Sequence, residues 1–315
     1  MIYHENSSRC NDFILKAEGA VNLLQAIRRV CVVGAGMMGR QIALNAALHG
    51  YPTTLTDSVA AALESARRWR DEYLSGRVVK GRITRGQAET AAELLQLVPT
   101  LTDAVAGADL VIEAVVEKLA VKQALFAELD GIAPEGAILA TNSSTFVSSL
   151  LAPATSRVDK VANLHYFNPA LVMAVVEVMQ GAHTSAETVR LLMDFARGNG
   201  KTPIHLRKEI PGFVANRLLG AVSREALYLL ENGYATFEEI DMAAEKALGH
   251  PMGPFRLMDL TGIDLAYLIR RERYEATGRE EDRPPLVIAE KYRRGEFGRK
   301  TGKGWYNYPD EGTRE

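Results

Sequence analysis

The sequence predicts an α/β domain followed by an all-α one. Three observations carry that prediction. Short, apolar, β-branched runs alternate with helical stretches from Arg29 to Leu206. The first such run ends in a glycine cluster, "VVGAGMMG", which opens a helix. After "RKEIPG" (Arg207 to Gly212) only helical patterns follow. Strands and helices alternating at this spacing imply βαβ units on a parallel sheet.

Taken in order, "VCVV" is the first strand, "MMGRQIALNAALHG" a helix stopping at Gly50, and "PTTLTD" a second strand ending in Asp57. Residues 58–96 read as a long, charged helical region. "ADLVIEAV", "AILATNSS", "VDKVANLHYF", "AVVEVM" and "KTPIHL" read as further strands. "VKQALFAELDGIA" and "HTSAETVRLLMDFARGNG" lie between them as helices, the second opened by a capping box of Thr184 and Glu187. In the helical part, residues 214, 218, 222, 226 and 229 form an apolar stripe, and Thr236 with Glu239 makes a second capping box. The predicted organisation is an N-terminal extension (1–28), a dinucleotide-binding domain (29–209) and a helical domain (210–315). "FILKAEGAVNLLQAI" in the extension is compatible with a short amphipathic helix.

Composition narrows the function classes. The 315 residues carry 37 basic and 39 acidic side chains, a net charge of −2, which gives no electrostatic footprint for nucleic acid or an anionic membrane. No apolar run is long enough to span a bilayer. The N-terminus lacks the pattern of a secretory signal. Two cysteines, Cys10 and Cys31, make neither a disulfide framework nor a metal site, so a cytoplasmic setting and no metal are expected.

Gly34, Gly36 and Gly39 fall in the pattern G-x-G-x-x-G, directly after a strand and at the start of a helix. Asp57 closes the second strand, 23 residues after Gly34. Together these are the features of a Rossmann-type dinucleotide site. Gly34 makes the tight turn, Gly36 lets backbone approach a pyrophosphate, and Gly39 permits close packing of helix on strand. Asp57 accepts from ribose hydroxyls. Ser58 follows where a 2′-phosphate would favour Arg, so NAD is expected over NADP.

Of six histidines, only His165, in "NLHYFNP", has a polar constellation beside it. Glu177 interrupts the apolar strand "AVVEVM", and a carboxylate there is costly to bury unless paired. An imidazole is the natural partner: the carboxylate fixes the tautomer at one ring nitrogen and favours the cation once the other takes a proton.

"VVGAGMMG", "IEAVVEKLAVKQALF", "TNSSTF", "LHYFNPA", "VVEVM", "PGFVANRLL", "HPMGPFRLMDLTGID" and "GRKTGKGWY" occur in this order. Over residues 29 to about 308 the chain thereby resembles the 3-hydroxyacyl-CoA dehydrogenase family, particularly its short-chain 3-hydroxybutyryl-CoA type. The resemblance implies reversible hydride transfer between (3S)-3-hydroxyacyl-CoA and NAD, within fatty acid metabolism. It assigns His165 as catalytic base, Glu177 as its partner, and Ser144 and Asn216 to the reacting oxygen. It puts Met38 with the glycine loop, and Glu117, Lys122 and Asn142 near the nicotinamide end of the cofactor. The basic stretch Gly76–Gly86, with Lys80 and Arg82 (and Arg77 and Arg85), is implied to approach the CoA nucleotide. A homodimer through the helical domain is implied as well. The family commonly reads P-V-M-K where this chain has Leu171-Val-Met-Ala174, which bears on substrate choice. The rival readings are a dehydrogenase of a free 3-hydroxy acid and a non-catalytic dinucleotide-binding module.

Overall fold

The computed structural model describes residues 27–308. The chain divides into two units, the first ending at Phe213 and the second beginning at Val214. The extension predicted for residues 1–28 lies outside the described residues except for its last two. Those two belong to the first unit: Ile27 is buried in its core, and the Arg28 N–H donates to Asp109 Oδ2 at 2.8 Å.

The first unit is built on eight strands: β1 (Val30–Val33), β2 (Thr53–Thr56), β3 (Leu95–Leu97), β4 (Leu110–Glu113), β5 (Ile138–Thr141), β6 (Val161–Tyr166), β7 (Val175–Met179) and β8 (Thr202–Leu206). Its helices are α1 (Met37–Leu48), α2 (Ala60–Val79), α3 (Arg85–Leu94), α4 (Leu101–Val105), α5 (Leu119–Ile132) and α6 (Ala186–Gly198). The sheet order is β3-β2-β1-β4-β5-β6-β7-β8. Every residue of β1, β4, β5 and β6 is buried, as expected of central strands covered on both faces. Alternation sends Val30 and Val32 into one apolar layer and Cys31 and Val33 into the other.

Three local expectations need correction. The helical region 58–96 hides a strand: β3 follows α3 directly and pairs with β2 at the sheet edge. Its three residues are too few for periodicity to register. The sheet is not wholly parallel, because β7 runs antiparallel to β6. The link between them, residues 167–174, is too short for the helical crossover a parallel pair needs. Finally, α6 is capped by Ser185, whose hydroxyl accepts from Thr188 N at 3.1 Å. Thr184 instead donates to Val161 O at 2.7 Å and accepts from Gly181 N, holding the turn ahead of the helix.

The second unit contains α7 (Ala215–Glu231), α8 (Phe237–Lys246), α9 (Pro254–Thr261), α10 (Ile263–Thr277) and α11 (Leu286–Arg293). The Thr236/Glu239 capping box is present at the start of α8. Phe255, Ile263, Ile288 and Trp305 form the core of this unit. Buried Asp259 accepts from Trp305 N, Tyr306 N and the Tyr308 hydroxyl, and so fixes the "KGWYNY" tail against α9. Burial beside this carboxylate pushes the Tyr308 hydroxyl up to about 12. Among the described residues, no helix is long and apolar enough to cross a membrane.

Candidate active site

The order β3-β2-β1-β4 places a topological switch between β1 and β4, and their carboxyl ends open a crevice there. At the end of β1, Gly34 takes φ +106°, and a Cβ on it would lie 2.6 Å from Ala114 O. A Cβ on Gly39 would lie 1.7 Å from Gly34 O, so only glycine lets α1 approach the turn this closely. Gly36 is different: nothing lies within 4 Å of its Cβ position, leaving backbone open to the crevice. No side chain caps α1, so its first-turn N–H groups, Met38 among them, face the space beyond Gly36 without a competing acceptor. Asp57, at the end of β2, accepts from Ala35 N at 2.7 Å and from Val59 N at 2.9 Å. An open glycine, an uncapped helix start and a fixed carboxylate fit a dinucleotide: pyrophosphate at α1, ribose at Asp57.

The antiparallel pair β6–β7 sets His165 directly opposite Glu177. His165 Nδ1 lies 3.0 Å from Glu177 Oε2, with the residues 5% and 0% exposed. The imidazole is flanked by two aromatic rings, Phe167 at 4.7 Å and Phe213 at 4.6 Å between centroids. Phe213 comes from the turn Ile210–Phe213, closed by Phe213 N donating to Ile210 O at 3.1 Å, with Pro211 and Gly212 at its centre. Gly212 has φ +81° and Phe213 φ +53°. The left-handed region costs an ordinary residue about 1–2 kcal/mol.

The loop between the dyad strands carries Val172 and Met173 outward, 71% and 40% exposed. Beneath it, the buried Lys201 ammonium donates to Ala170 O at 2.6 Å and Met173 O at 3.0 Å, while Thr202 N holds Ala174 O at 2.7 Å. Lys201 makes no ion pair among the described residues, and burial holds its pKa below the usual lysine range.

At the ends of β4 and β5, a polar network centres on Glu113, which is 0% exposed. Its carboxylate accepts from Lys122 Nζ at 2.6 Å, Thr141 Oγ1 at 2.6 Å and Val115 N at 2.8 Å. Lys122, 1% exposed, also lies 3.0 Å from Glu117 Oε2. Glu117 then takes the Ser143 hydroxyl and Thr145 N. Burial pushes the Glu117 carboxyl up, but Ser143, Lys122 and Thr145 outweigh it and hold it below the ordinary range. Asn142 accepts from Tyr166 N at 2.8 Å, tying the end of β5 to β6. Ser144 stands exposed on the same loop.

Glu113, Phe213 and Lys201 are absent from the sequence-derived candidates. Only Glu113 had a signal, an acid ending the apolar run "ADLVI". Lys80 and Arg82 do not join these clusters. Lys80, at the C-cap of α2, and Arg82, in the turn before α3, are exposed and without ion-pair partners among the described residues. Asn216 is exposed in the first turn of α7, in the second unit. No group of His, Cys, Asp or Glu suited to a metal occurs among the described residues.

A parallel-dominated sheet and a glycine turn at its switch point define a dinucleotide-binding protein of the Rossmann class, here followed by a helical second unit. The 3-hydroxyacyl-CoA dehydrogenase family models match the chain almost end to end, the NAD binding domain over residues 29–210 and the C-terminal domain over 212–308. The chain belongs to the 3-hydroxyacyl-CoA dehydrogenase family, and its cofactor is NAD. It is 38% identical over 289 residues to the mitochondrial hydroxyacyl-coenzyme A dehydrogenase of Homo sapiens, covering 90% of this chain and 91% of that one. It is 36% identical over 284 residues to the 3-hydroxybutyryl-CoA dehydrogenase of Mycobacterium tuberculosis, covering 90% and 99%. Among solved structures, the (S)-3-hydroxybutyryl-CoA dehydrogenase of Ralstonia eutropha superposes with a TM-score of 0.83 at 34% identity, covering 90% and 99%.

Proposed function

We propose that the chain interconverts short-chain (3S)-3-hydroxyacyl-CoA, 3-hydroxybutyryl-CoA in particular, and 3-oxoacyl-CoA, with His165 and Glu177 as the proton-handling dyad. The observation that carries this is the 3.0 Å contact of Nδ1 with a fully buried carboxylate. With Nδ1 held by Glu177, the other ring nitrogen is the one left to take the proton of the substrate's 3-hydroxyl. The chemistry supplied by bound NAD is acceptance of the hydride from C3. Glu177 stabilises the imidazolium that forms, and in the reductive direction that imidazolium is the general acid. Ser144 holds the reacting oxygen from the β5 loop, and Asn216 is assigned the same task from α7. Gly34, Gly36, Met38, Gly39 and Asp57 hold NAD, while Glu117, Lys122 and Asn142 shape the nicotinamide end by fixing the loops after β4 and β5.

Lys80 and Arg82 are exposed cations in a stretch without acids, suited to the phosphates of CoA. The helical unit is read as a dimerisation unit, because Val214, Leu218 and Val222 stand 39%, 64% and 38% exposed at helical spacing. Cysteine usage, with Cys31 a buried free thiol, agrees with a reducing cytoplasmic setting. Purified protein given NADH and acetoacetyl-CoA, then acetoacetate and other free keto acids, tests the substrate. Turnover confined to free acids would refute the CoA reading, and no turnover at all would favour a binding module. His165→Gln is expected to lose about 10²–10⁴-fold in rate; a variant keeping more than about a tenth of the wild-type rate removes His165 from the base role.

A further inference from the structure

We propose that Phe213 is a positioning residue for the reaction: its ring holds the His165 imidazole in line with Glu177 and stabilises the imidazolium through its face. The inference rests on His165 being the base. Three observations carry it. Phe213 is completely buried, and its ring centroid lies 4.6 Å from that of His165 with the planes tilted by only 37°. It is also the one non-glycine residue with positive φ among the described residues. Finally, it is the last residue of the first unit, fixed against Met179, Leu206, Val147 and Ile210 before the chain enters the helical unit.

Backbone strain of this kind persists only where surrounding structure enforces it, and it concentrates at functional sites. A glycine at position 213 would satisfy the turn without strain, so what the strained residue contributes is the ring. The charged group paired with the imidazole is Glu177, from β7, at Nδ1. Phe167, following β6, meets the ring edge-on at 61°. Phe213 therefore offers the more nearly parallel face, within the roughly 6 Å over which an aromatic face attracts a cation. That attraction acts only when the imidazole is protonated, the state on the product side of proton abstraction. A purely apolar neighbour of equal size would exclude water equally well and lack it.

The test is a graded one. Phe213 is replaced in the full-length protein by mono-, tri- and pentafluorophenylalanine, which keep the ring while draining and then reversing the charge of its face. Phe213→Leu is measured alongside. With 3-hydroxybutyryl-CoA and NAD, the acid limb of the kcat/KM profile is expected to move to lower pH with each fluorination step. For Phe213→Leu the expected move is about half a pH unit, a roughly threefold change in the ionisation constant. KM for NAD should stay within about twofold throughout. Phe213→Tyr, which keeps the electron-rich face, should leave the limb where it is. An acid limb that stays fixed across the fluorinated series, with only the melting temperature responding, would overturn the proposal and leave Phe213 a packing residue. If Phe213→Leu does not fold, the fluorinated series still decides. Failure of the base reading itself is distinguishable, since His165→Gln would then retain activity whatever occupies position 213.

Discussion

Replacing Lys122 by Met tests whether burial, rather than distance, sets the strength of the network at the end of β4. The wild-type ammonium lies 2.6 Å from Glu113 Oε1, with side chains 1% and 0% exposed. Met fills similar volume but leaves the Glu113 carboxylate with only the Thr141 hydroxyl and Val115 N–H. Removing one partner of a buried ion pair costs about 3–5 kcal/mol, because the other charge stays buried. For a domain of this size, about 2–4 °C of melting temperature per kcal/mol gives a loss of roughly 6–20 °C. The readout must follow the first unit alone, and Cys31 supplies it: the thiol is fully buried and pushed up to about 11 by burial. Thiol labelling against temperature in a Cys10→Ser background therefore reports unfolding of the sheet. The control is Arg190→Met, at an exposed pair with Glu187 of the same 2.6 Å separation; its midpoint should match the wild type. A shift of less than about 2 °C for Lys122→Met would refute the reasoning, since it would mean that water or a neighbour solvates Glu113.

Other consequences can be measured directly. Gly39→Ala should weaken NADH binding at least about tenfold, or ~1.4 kcal/mol, by titration of NADH fluorescence, because its Cβ cannot sit 1.7 Å from Gly34 O without moving α1. Lys201→Met leaves the carbonyls of Ala170 and Met173 without their donor. A stability loss of about 1–3 kcal/mol in urea, with a raised KM for acyl-CoA, is expected. Glu117 has a carboxyl held low in the folded protein, so its stabilisation is present above the unfolded value near pH ~4.3 and is lost as pH falls through the lower folded value. The urea midpoints of wild type and Glu117→Gln should therefore differ at pH 7 and converge in acid. A pH-independent gap would contradict this.

The features legible in the sequence are those fixed by local backbone demands. The glycine spacing of Gly34, Gly36 and Gly39, Asp57 at the next strand end, and the Thr236/Glu239 box each follow from contacts within a few residues or one βα unit. The proximity of His165 and Glu177 was readable for another reason: a carboxylate in an apolar strand needs a partner, and the nearest suitable one lies 12 residues earlier. The antiparallel pairing that brings them face to face was not readable, because it depends on how residues 167–174 fold over Lys201, whose own segment lies beyond α6. Glu113, Lys122 and Thr141 come from three different elements, and their joint burial appears only when β4, β5 and α5 are assembled. Phe213 is not legible in the sequence, because Pro211-Gly212 announces a turn without saying what its last residue will face. The shift of the α6 cap from Thr184 to Ser185 is a difference of one residue between neighbouring hydroxyls, decided by Val161 O.

The close approach of Gly39 to Gly34, and of Gly34 to Ala114, has a genetic consequence. At each contact the atom in the way is a main-chain oxygen, 1.7 Å from one Cβ position and 2.6 Å from the other. A clash between side chains can be relieved by a second mutation that trims the neighbour, but a carbonyl cannot be trimmed. In a selection for restored growth starting from alanine at position 39, revertants should carry glycine again rather than a compensating change nearby. Most of the core can drift by paired exchange, whereas this turn can change only by replacing the whole segment.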